Sequence, residues 1–407
     1  MLLTDTFPFG FKGEPFLEAE VGVLSEHFRR VLVLPSRRET GIRSLPGNVR
    51  AFELPWTSTM TRSEKSGALL SRSAFRILKE TLSVPENLPN YLRAHRFCLD
   101  ILASELLKAR MLQEFVIERD LAGAIFYDYW FHNTTLALSI LRRTGVISTA
   151  VARAHRFDLY DEGWPIGRVP FRESKSRGLD LIAAISCHGA AYLSRKLPQG
   201  AAPVEVHRLG TEDHGVGPAP GEGTPTVVSC STMIPRKRVQ LIPQVLSRLP
   251  SAVHWVHIGD GPCRSEVEKQ IEELNGRVDV DLLGQIPNEE VIDFYRSTPV
   301  SVFLSLSLSE GLPVSMMEAQ SFGIPVLAIR THGIPEIVTP DTGILMERDA
   351  DIGEASRILD DMLSANQFRR DVIRNHFLDN FLARENHRKF VETLQSLHVS
   401  IRDPRQR

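Results

Sequence analysis

Ser307-Leu-Ser-Glu310-Gly311-Leu312-Pro313-Val314-Ser-Met-Met-Glu318-Ala-Gln-Ser-Phe-Gly323-Ile-Pro325 decides how the chain folds. The apolar run Val300-Ser-Val-Phe-Leu304 precedes it and reads as a buried strand. Pro313 suits the first position of a helix and Gly323 the left-handed residue beyond its end, so the stretch is a strand-to-helix turn and the helix after it. In an open α/β sheet, ligands lie at the carboxyl ends of strands, which is where Glu310 falls. The amides of Gly311, Leu312 and Val314 at the helix start, with the helix dipole, favour a diphosphate or a sugar hydroxyl, whereas Pro313 has no N–H to give. Glu318 follows Glu310 by eight residues, about 10 Å along a helix axis, so the two carboxylates suit opposite ends of an extended ligand.

Outward from this turn the same alternation repeats. Thr226 to Ser229, Val253 to Ile258, Val278 to Leu283 and Ile324 to Ile329 are further strand candidates. Before them come Arg30 to Pro35, Ala122 to Tyr127, Val146 to Val151 and Leu181 to Ser186, separated by a Gly- and Pro-rich stretch from Gly210 to Pro225. Two βα-repeating domains are expected: residues 1–212, residues 213–382, and a terminal helical segment 383–407 whose Phe390, Val391 and Leu394 share a face. A chain of 407 residues, 42% hydrophobic and 24% charged, has ample core for two domains. Its net charge of −2 offers no global field for a polyanion, so nucleic acid is not an expected partner. Cys98, Cys187, Cys230 and Cys263 are scattered without metal-ligand spacing, which suits a reducing compartment. No signal peptide or membrane span is expected. Between Met60 and Leu112 a helical, cation-rich pattern, exemplified by Ala68-Leu-Leu-Ser-Arg-Ser-Ala-Phe-Arg-Ile-Leu-Lys79, reads first as solvated helix faces and alternatively as a surface that meets anionic lipid headgroups.

The pair Glu310 and Glu318, with Glu-Gly-Leu-Pro between and Gly-Ile-Pro-Val after, resembles the retaining glycosyltransferases related to glycogen synthase and sucrose synthase, the glycosyl transferases group 1. The resemblance implies a GT-B fold, two Rossmann-like domains facing a central cleft, with Glu310 on the donor sugar's hydroxyls and Glu318 on the ribose. Val228-Ser-Cys-Ser-Thr-Met-Ile-Pro235-Arg236-Lys237-Arg238 is similar to the segment that presents a lysine to the donor diphosphate, which assigns that role to Lys237. The family arginine five or six places earlier is Thr232 or Ser231 here, leaving Arg236 or Arg238 to supply the second cation. By the same resemblance Ile286 approaches the base, His155 approaches the donor sugar, and Gly10 and Gly13 belong to the amino-terminal loop. The segment Thr331-His332-Gly333-Ile-Pro-Glu336 carries His332-Gly333 where the family has Gly-Gly. Tyr127 to Trp130 offers aromatic surface for a sugar or lipid-linked acceptor.

These readings give an expected activity: transfer of a sugar from a nucleoside diphosphate sugar to a hydroxyl acceptor, with retention and without a metal or other cofactor. Assembly of a polysaccharide or lipid-linked oligosaccharide, in the cytoplasm or peripherally at the inner membrane face, is the expected setting. The alternatives are a nucleotide-sugar epimerase on the same architecture, a degenerate nucleotide-sugar-binding partner protein, and a nicotinamide dehydrogenase suggested by Gly259-Asp-Gly261 alone.

Overall fold

The computed structural model describes residues 1–10, 13–53, 60–132, 134–274, 276, 278–365 and 367–402. Phe11 and Lys12 of the amino-terminal loop, and the last five positions of the expected terminal segment, lie outside the described residues. The chain forms two compact units, Met1–His207 with the residues from His387 onward, and Arg208–Asn386.

Among its described residues the first unit holds seven strands: β1 Leu2–Thr4, β2 Val31–Pro35, β3 Val49–Ala51, β4 Ile125–Asp128, β5 Thr149–Ala154, β6 Leu181–Ala184 and β7 Val204–Val206. They pair in parallel in the order β3-β2-β1-β4-β5-β6-β7. Alternate residues serve opposite faces. Leu3, Leu32, Leu34, Phe126 and Ile182 pack into one core, and Leu2, Val33, Tyr127, Val151 and Leu181 into another. Both faces are therefore covered, which is why β2 and β6, buried at every residue, read as continuous apolar runs. The terminal helix Ala383–Arg402 sends Phe390, Val391 and Leu394 into the second of these cores. Arg153 on β5, fully buried, donates to Tyr127 Oη at 2.7 Å and to Glu20 at 3.0 Å, and its guanidinium lies 4.4 Å from the Phe390 ring.

Strand β5 begins later than the expected Val146. Gly145, at φ +78, ends the helix Thr135–Arg143, and the Val146 amide returns to Leu141 O at 3.0 Å, closing a left-handed helix cap that removes Val146 and Ile147 from the sheet. Where one crossover helix would suffice, the described residues between β3 and β4 make four helices, Arg62–Leu69, Arg72–Leu82, Asn87–Arg93 and His95–Glu118. Thr61 and Glu64 form a capping box at the first, and Ser71 caps the second. Their inward residues Ala68, Ala74, Ile77, Tyr91 and Leu102 make a separate core with Leu136, Ile166 and Phe171.

The second unit has β8 Thr226–Cys230, β9 His254–Ile258, β10 Asp279–Gly284, β11 Val300–Ser305, β12 Val326–Ile329 and β13 Gly343–Met346. All pair in parallel, in the order β10-β9-β8-β11-β12-β13. The order reverses between β8 and β11. Loops leaving the carboxyl ends of those two strands diverge and open the crevice in which such sheets hold ligands.

Candidate functional site

The loop after β8 closes in the short turn Pro235–Lys237, and Arg238 takes a left-handed conformation, φ +51, that redirects the chain. Two bonds fasten this turn to the loop after β11: Leu308 N to Arg236 O at 2.9 Å and Arg238 Nε to Leu306 O at 2.8 Å. Lys237 is thereby placed in an ion pair with Glu310, the two side chains only 15% and 8% exposed. Arg238 spends its Nε on the loop carbonyl, and burial, then the Arg348 charge, lower its pKa. Arg236 is exposed and forms no ion pair among the described residues. Of the two arginines, Arg238 is thus tied to the loop carbonyl, whereas Arg236 is exposed.

Beyond Glu310, Gly311 and Leu312 are buried, and Pro313 precedes the helix Val314–Ser321. The amides of Gly311, Leu312 and Val314 donate to no protein acceptor among the described residues. A row of free amides beside a lysine, at a helix start, is a cradle for an anion. Glu318, 5% exposed, lies on that helix and accepts from Asn288 Nδ2 at 2.8 Å. Burial raises its carboxyl above the usual range, and the Asn288 bond partly offsets this. Cys230, at the end of β8, feels both Glu318 and Lys237; burial first, then the Glu318 charge, push its thiol up to about 12, so it is inert as a nucleophile. Lys237, Glu310, Cys230 and Glu318 therefore converge within one unit. Asn288, at the start of the helix Asn288–Ser297 and two residues after half-buried Ile286, was not singled out by the sequence.

The surrounding loops serve this group. An added Cβ would collide with Ser231 O at Gly259 and lie 2.6 Å from Met233 O at Gly261, so these glycines let their loop press on the turn leading to Lys237. His332 takes the left-handed conformation, φ +43, that glycine adopts freely, with Nδ1 2.9 Å from Thr331 Oγ1 and 3.4 Å from Ser309 Oγ. Glu336, in the short helix Ile334–Ile337, is bound by Arg208 at 3.0 Å, at the start of this unit.

His155, Gly10 and Gly13 belong to the first unit. Near them the Glu14 carboxylate accepts from the amides of Asp5, Thr6 and Phe7 at 3.0, 2.7 and 2.7 Å and from Trp130 Nε1 at 2.5 Å, tying the amino-terminal loop to the segment after β4. A Cβ at Gly10 would collide with Glu39 Oε2 and one at Gly13 would approach Thr6 Oγ1 to 2.5 Å, so both glycines first permit the loop's own packing. His155, 7% exposed, lies between the Tyr129 and Trp130 rings at centroid distances of 4.6 and 4.4 Å. Desolvation, followed by the Arg153 and His132 charges, holds its pKa well below the ordinary value, so it is neutral at physiological pH. Its Nε2 has no protein partner among the described residues. A neutral imidazole in this state exchanges hydrogen bonds with a hydroxyl; it does not supply a positive charge.

Among the described residues no helix is long and apolar enough to cross a membrane, and no cluster of His, Cys, Asp or Glu has metal-binding geometry.

Residues 214–378 match the glycosyl transferases group 1. A phosphatidylinositol N-acetylglucosaminyltransferase component of Arabidopsis thaliana is 33% identical over 132 residues, 31% of this chain and 28% of its own length. A GDP-mannose-dependent monoacylated alpha-(1-6)-phosphatidylinositol monomannoside mannosyltransferase of Corynebacterium glutamicum is 28% identical over 149 residues, 34% of this chain and 38% of its own. This chain thus spans well under half the length of these curated relatives. Sucrose-phosphate synthase from Thermosynechococcus elongatus has a similar structure, with TM-score 0.72 at 14% identity over 98% of this chain and 100% of that one. HepE of Anabaena, solved in complex with UDP-glucose, gives 0.63 at 16% identity over 97% and 100%. At such identities the likeness establishes the architecture. The second unit of the chain belongs to the glycosyl transferases group 1, and the chain as a whole has the GT-B fold.

Proposed function

We propose that the protein transfers a sugar from a nucleoside diphosphate sugar to a hydroxyl acceptor, with retention of anomeric configuration. The observation that carries this reading is the Lys237–Glu310 pair set beside the unused amides of Gly311, Leu312 and Val314, with buried Glu318 on the same helix. With donor bound, Lys237 leaves Glu310 for the diphosphate, Arg236 joins it, and the amides share the growing negative charge of the leaving group. Glu310 then accepts from the sugar hydroxyls and Glu318 from the ribose, and Ile286 meets the base. These groups neutralise the leaving diphosphate without a metal. Nucleotide released and glycoside formed from UDP-, GDP- and ADP-sugars, assayed in excess EDTA with free sugars, glycosides and lipid-linked saccharides as acceptors, test the reading. Turnover with EDTA present and an α-linked product from an α-linked donor are expected; an epimerised donor with no acceptor used, or activity abolished by EDTA, contradicts it.

The acceptor, in this reading, belongs to polysaccharide or lipid-linked saccharide assembly, as the names of the phosphatidylinositol-directed relatives favour. A specific surface supports a peripheral position at the inner membrane face. The helix Arg72–Leu82 buries Ala74, Ile77 and Thr81 and exposes the other side, where Phe75 and Leu82, 73% and 40% exposed, stand among Arg72, Arg76 and Lys79. Those three cations form no ion pair among the described residues. Leu70, just before the helix, is 89% exposed. Apolar side chains ringed by unpaired cations suit an anionic bilayer surface, each cation being worth ~1 kcal/mol there. Charge reversal at Arg72, Arg76 and Lys79 together is expected to reduce binding to phosphatidylglycerol vesicles by at least about a hundredfold. Sedimentation with such vesicles measures it; equal binding to neutral phosphatidylcholine vesicles would contradict the electrostatic part.

A further inference from the structure

The first unit carries a row of aromatic rings that the donor contacts above do not use. Trp130 and His132 follow β4, and Phe157 follows β5, so the row occupies the carboxyl ends of adjacent parallel strands. Ring centroids are 6.0 Å apart from Trp130 to His132, 5.2 Å from His132 to Phe157, and 4.9 Å from Phe157 to Trp164, the last two rings inclined by 35°. Phe157 is 42% exposed, and Trp130, His132 and Trp164 are half-buried. Trp130 and Trp164 pack against the cores of this unit on one side without being fully buried, and Phe157 and His132 belong to none of them.

The row is rigid. Trp130 Nε1 is held by Glu14, Trp164 Nε1 donates to Phe157 O at 2.9 Å, and His132 Nδ1 is 3.5 Å from Asp158. Asp158, wholly buried, also accepts from the amides of Phe131 at 2.7 Å and His155 at 2.5 Å, so a single carboxylate sets the loops after β4 and β5. Both indole N–H groups are thus spent on internal acceptors, leaving ring faces and edges as the available surface. Polar groups border it, since Arg156 and Glu162 pair at 3.9 Å on either side of the Phe157 segment. Fixed aromatic faces with polar neighbours match a pyranose, which has an apolar C–H face and a rim of hydroxyls. They match an acyl chain less well, because that needs a continuous apolar channel. At one end the row meets His155, 4.4 Å from Trp130, whose Nε2 is unpartnered among the described residues.

We propose that Trp130, His132, Phe157 and Trp164 form a saccharide-binding subsite that holds the acceptor, stacking its sugar rings on Phe157 and Trp164. The proposal rests on the transferase reading for the word acceptor. It specifies that the acceptor contributes a carbohydrate portion of more than one ring, even where a lipid anchors it. Phe157 and Trp164 act by stacking and take no part in bond making, so their loss raises acceptor KM more than it lowers kcat and leaves donor affinity unchanged.

The test uses the full chain, with Phe157→Ala, Trp164→Ala and the conservative Trp164→Phe. Saturation-transfer NMR is recorded with maltotriose, mannotriose and lacto-N-tetraose, with the corresponding monosaccharides, and with decyl phosphate as an acyl-chain probe. Thermal stabilisation by UDP and GDP is read on the same samples. Transfer to ring protons of at least one oligosaccharide is expected, weakened roughly tenfold by either alanine variant and retained in Trp164→Phe, with nucleotide stabilisation unchanged in all three. Absence of oligosaccharide binding to the parent protein, equal binding in the alanine variants, or preference for decyl phosphate overturns the subsite. Oligosaccharide binding without any nucleotide response upholds the saccharide site and instead overturns the donor reading.

Discussion

Lys237→Ala is expected to lower kcat by about 10²–10³, the loss typical when one preorganised donor to a developing negative charge is removed. The structure adds a second effect that separates this role from a packing role. Lys237 is ion-paired with Glu310 while no ligand is present, and both side chains are largely buried. Removing one partner leaves a buried carboxylate uncompensated, at a cost of about 3 kcal/mol. Lys237→Ala should therefore be both slow and less stable. Adding Glu310→Gln to it neutralises the stranded carboxylate and should recover most of the stability without recovering turnover. Urea unfolding of the three proteins, alongside kcat with saturating donor, checks both halves. A double variant that regains activity together with stability would reduce Lys237 to a structural partner of Glu310.

Glu318→Ala is expected to act on donor affinity. Each charge-assisted hydrogen bond to a carboxylate contributes ~1.5–3 kcal/mol, so losing the ribose contacts should weaken donor binding by roughly tenfold to hundredfold per bond. Because burial raises the carboxyl of Glu318, the sign of the pH effect follows. As pH falls through that raised pKa the group takes a proton and loses acceptor capacity, so donor affinity falls on the acid side, beginning above the pH at which an exposed glutamate would titrate. Glu318→Gln should bind more weakly at neutral pH and lack this acid limb. Glu336, held by Arg208, gives the matched comparison: its substitution should cost stability without a comparable change in donor affinity.

The second unit was the more legible half in the sequence because its strands are apolar runs long enough to show a pattern, and because Glu310, Glu318 and Lys237 lie in short motifs tied to strand ends. Strands β1, β3 and β7 have three residues each, and β13 starts on a glycine. None presents a run that differs from a loop. The late start of β5 had a local cause, the Gly145 helix cap, which competed with the β-branched run Val146-Ile147 and won. What escaped entirely was long-range. Glu14 is one acid in a loop until the fold brings Trp130, 116 residues away, to its carboxylate. Asn288 acquires meaning only from Glu318, on a different helix. The choice between Arg236 and Arg238 depended on the conformation of one residue, Arg238, whose left-handed backbone turns its side chain to the Leu306 carbonyl. Local pattern carries the motifs, whereas pairing between distant segments carries their support.

Everything proposed for the donor depends on the second unit holding a nucleoside diphosphate through Glu318 and the Lys237 turn. Equilibrium binding of UDP, GDP, ADP, CMP, TDP and NAD to the parent protein and to Glu318→Ala, in EDTA, is the most direct test. Calorimetry, with thermal stabilisation as the second readout, provides the measurement; a ligand at a hundred times its Kd adds ~2.7 kcal/mol. Selective binding of one nucleoside diphosphate, weakened at least roughly tenfold in the variant, is the expected result. Binding of no diphosphate, of NAD alone, or with the same affinity in Glu318→Ala would contradict the account.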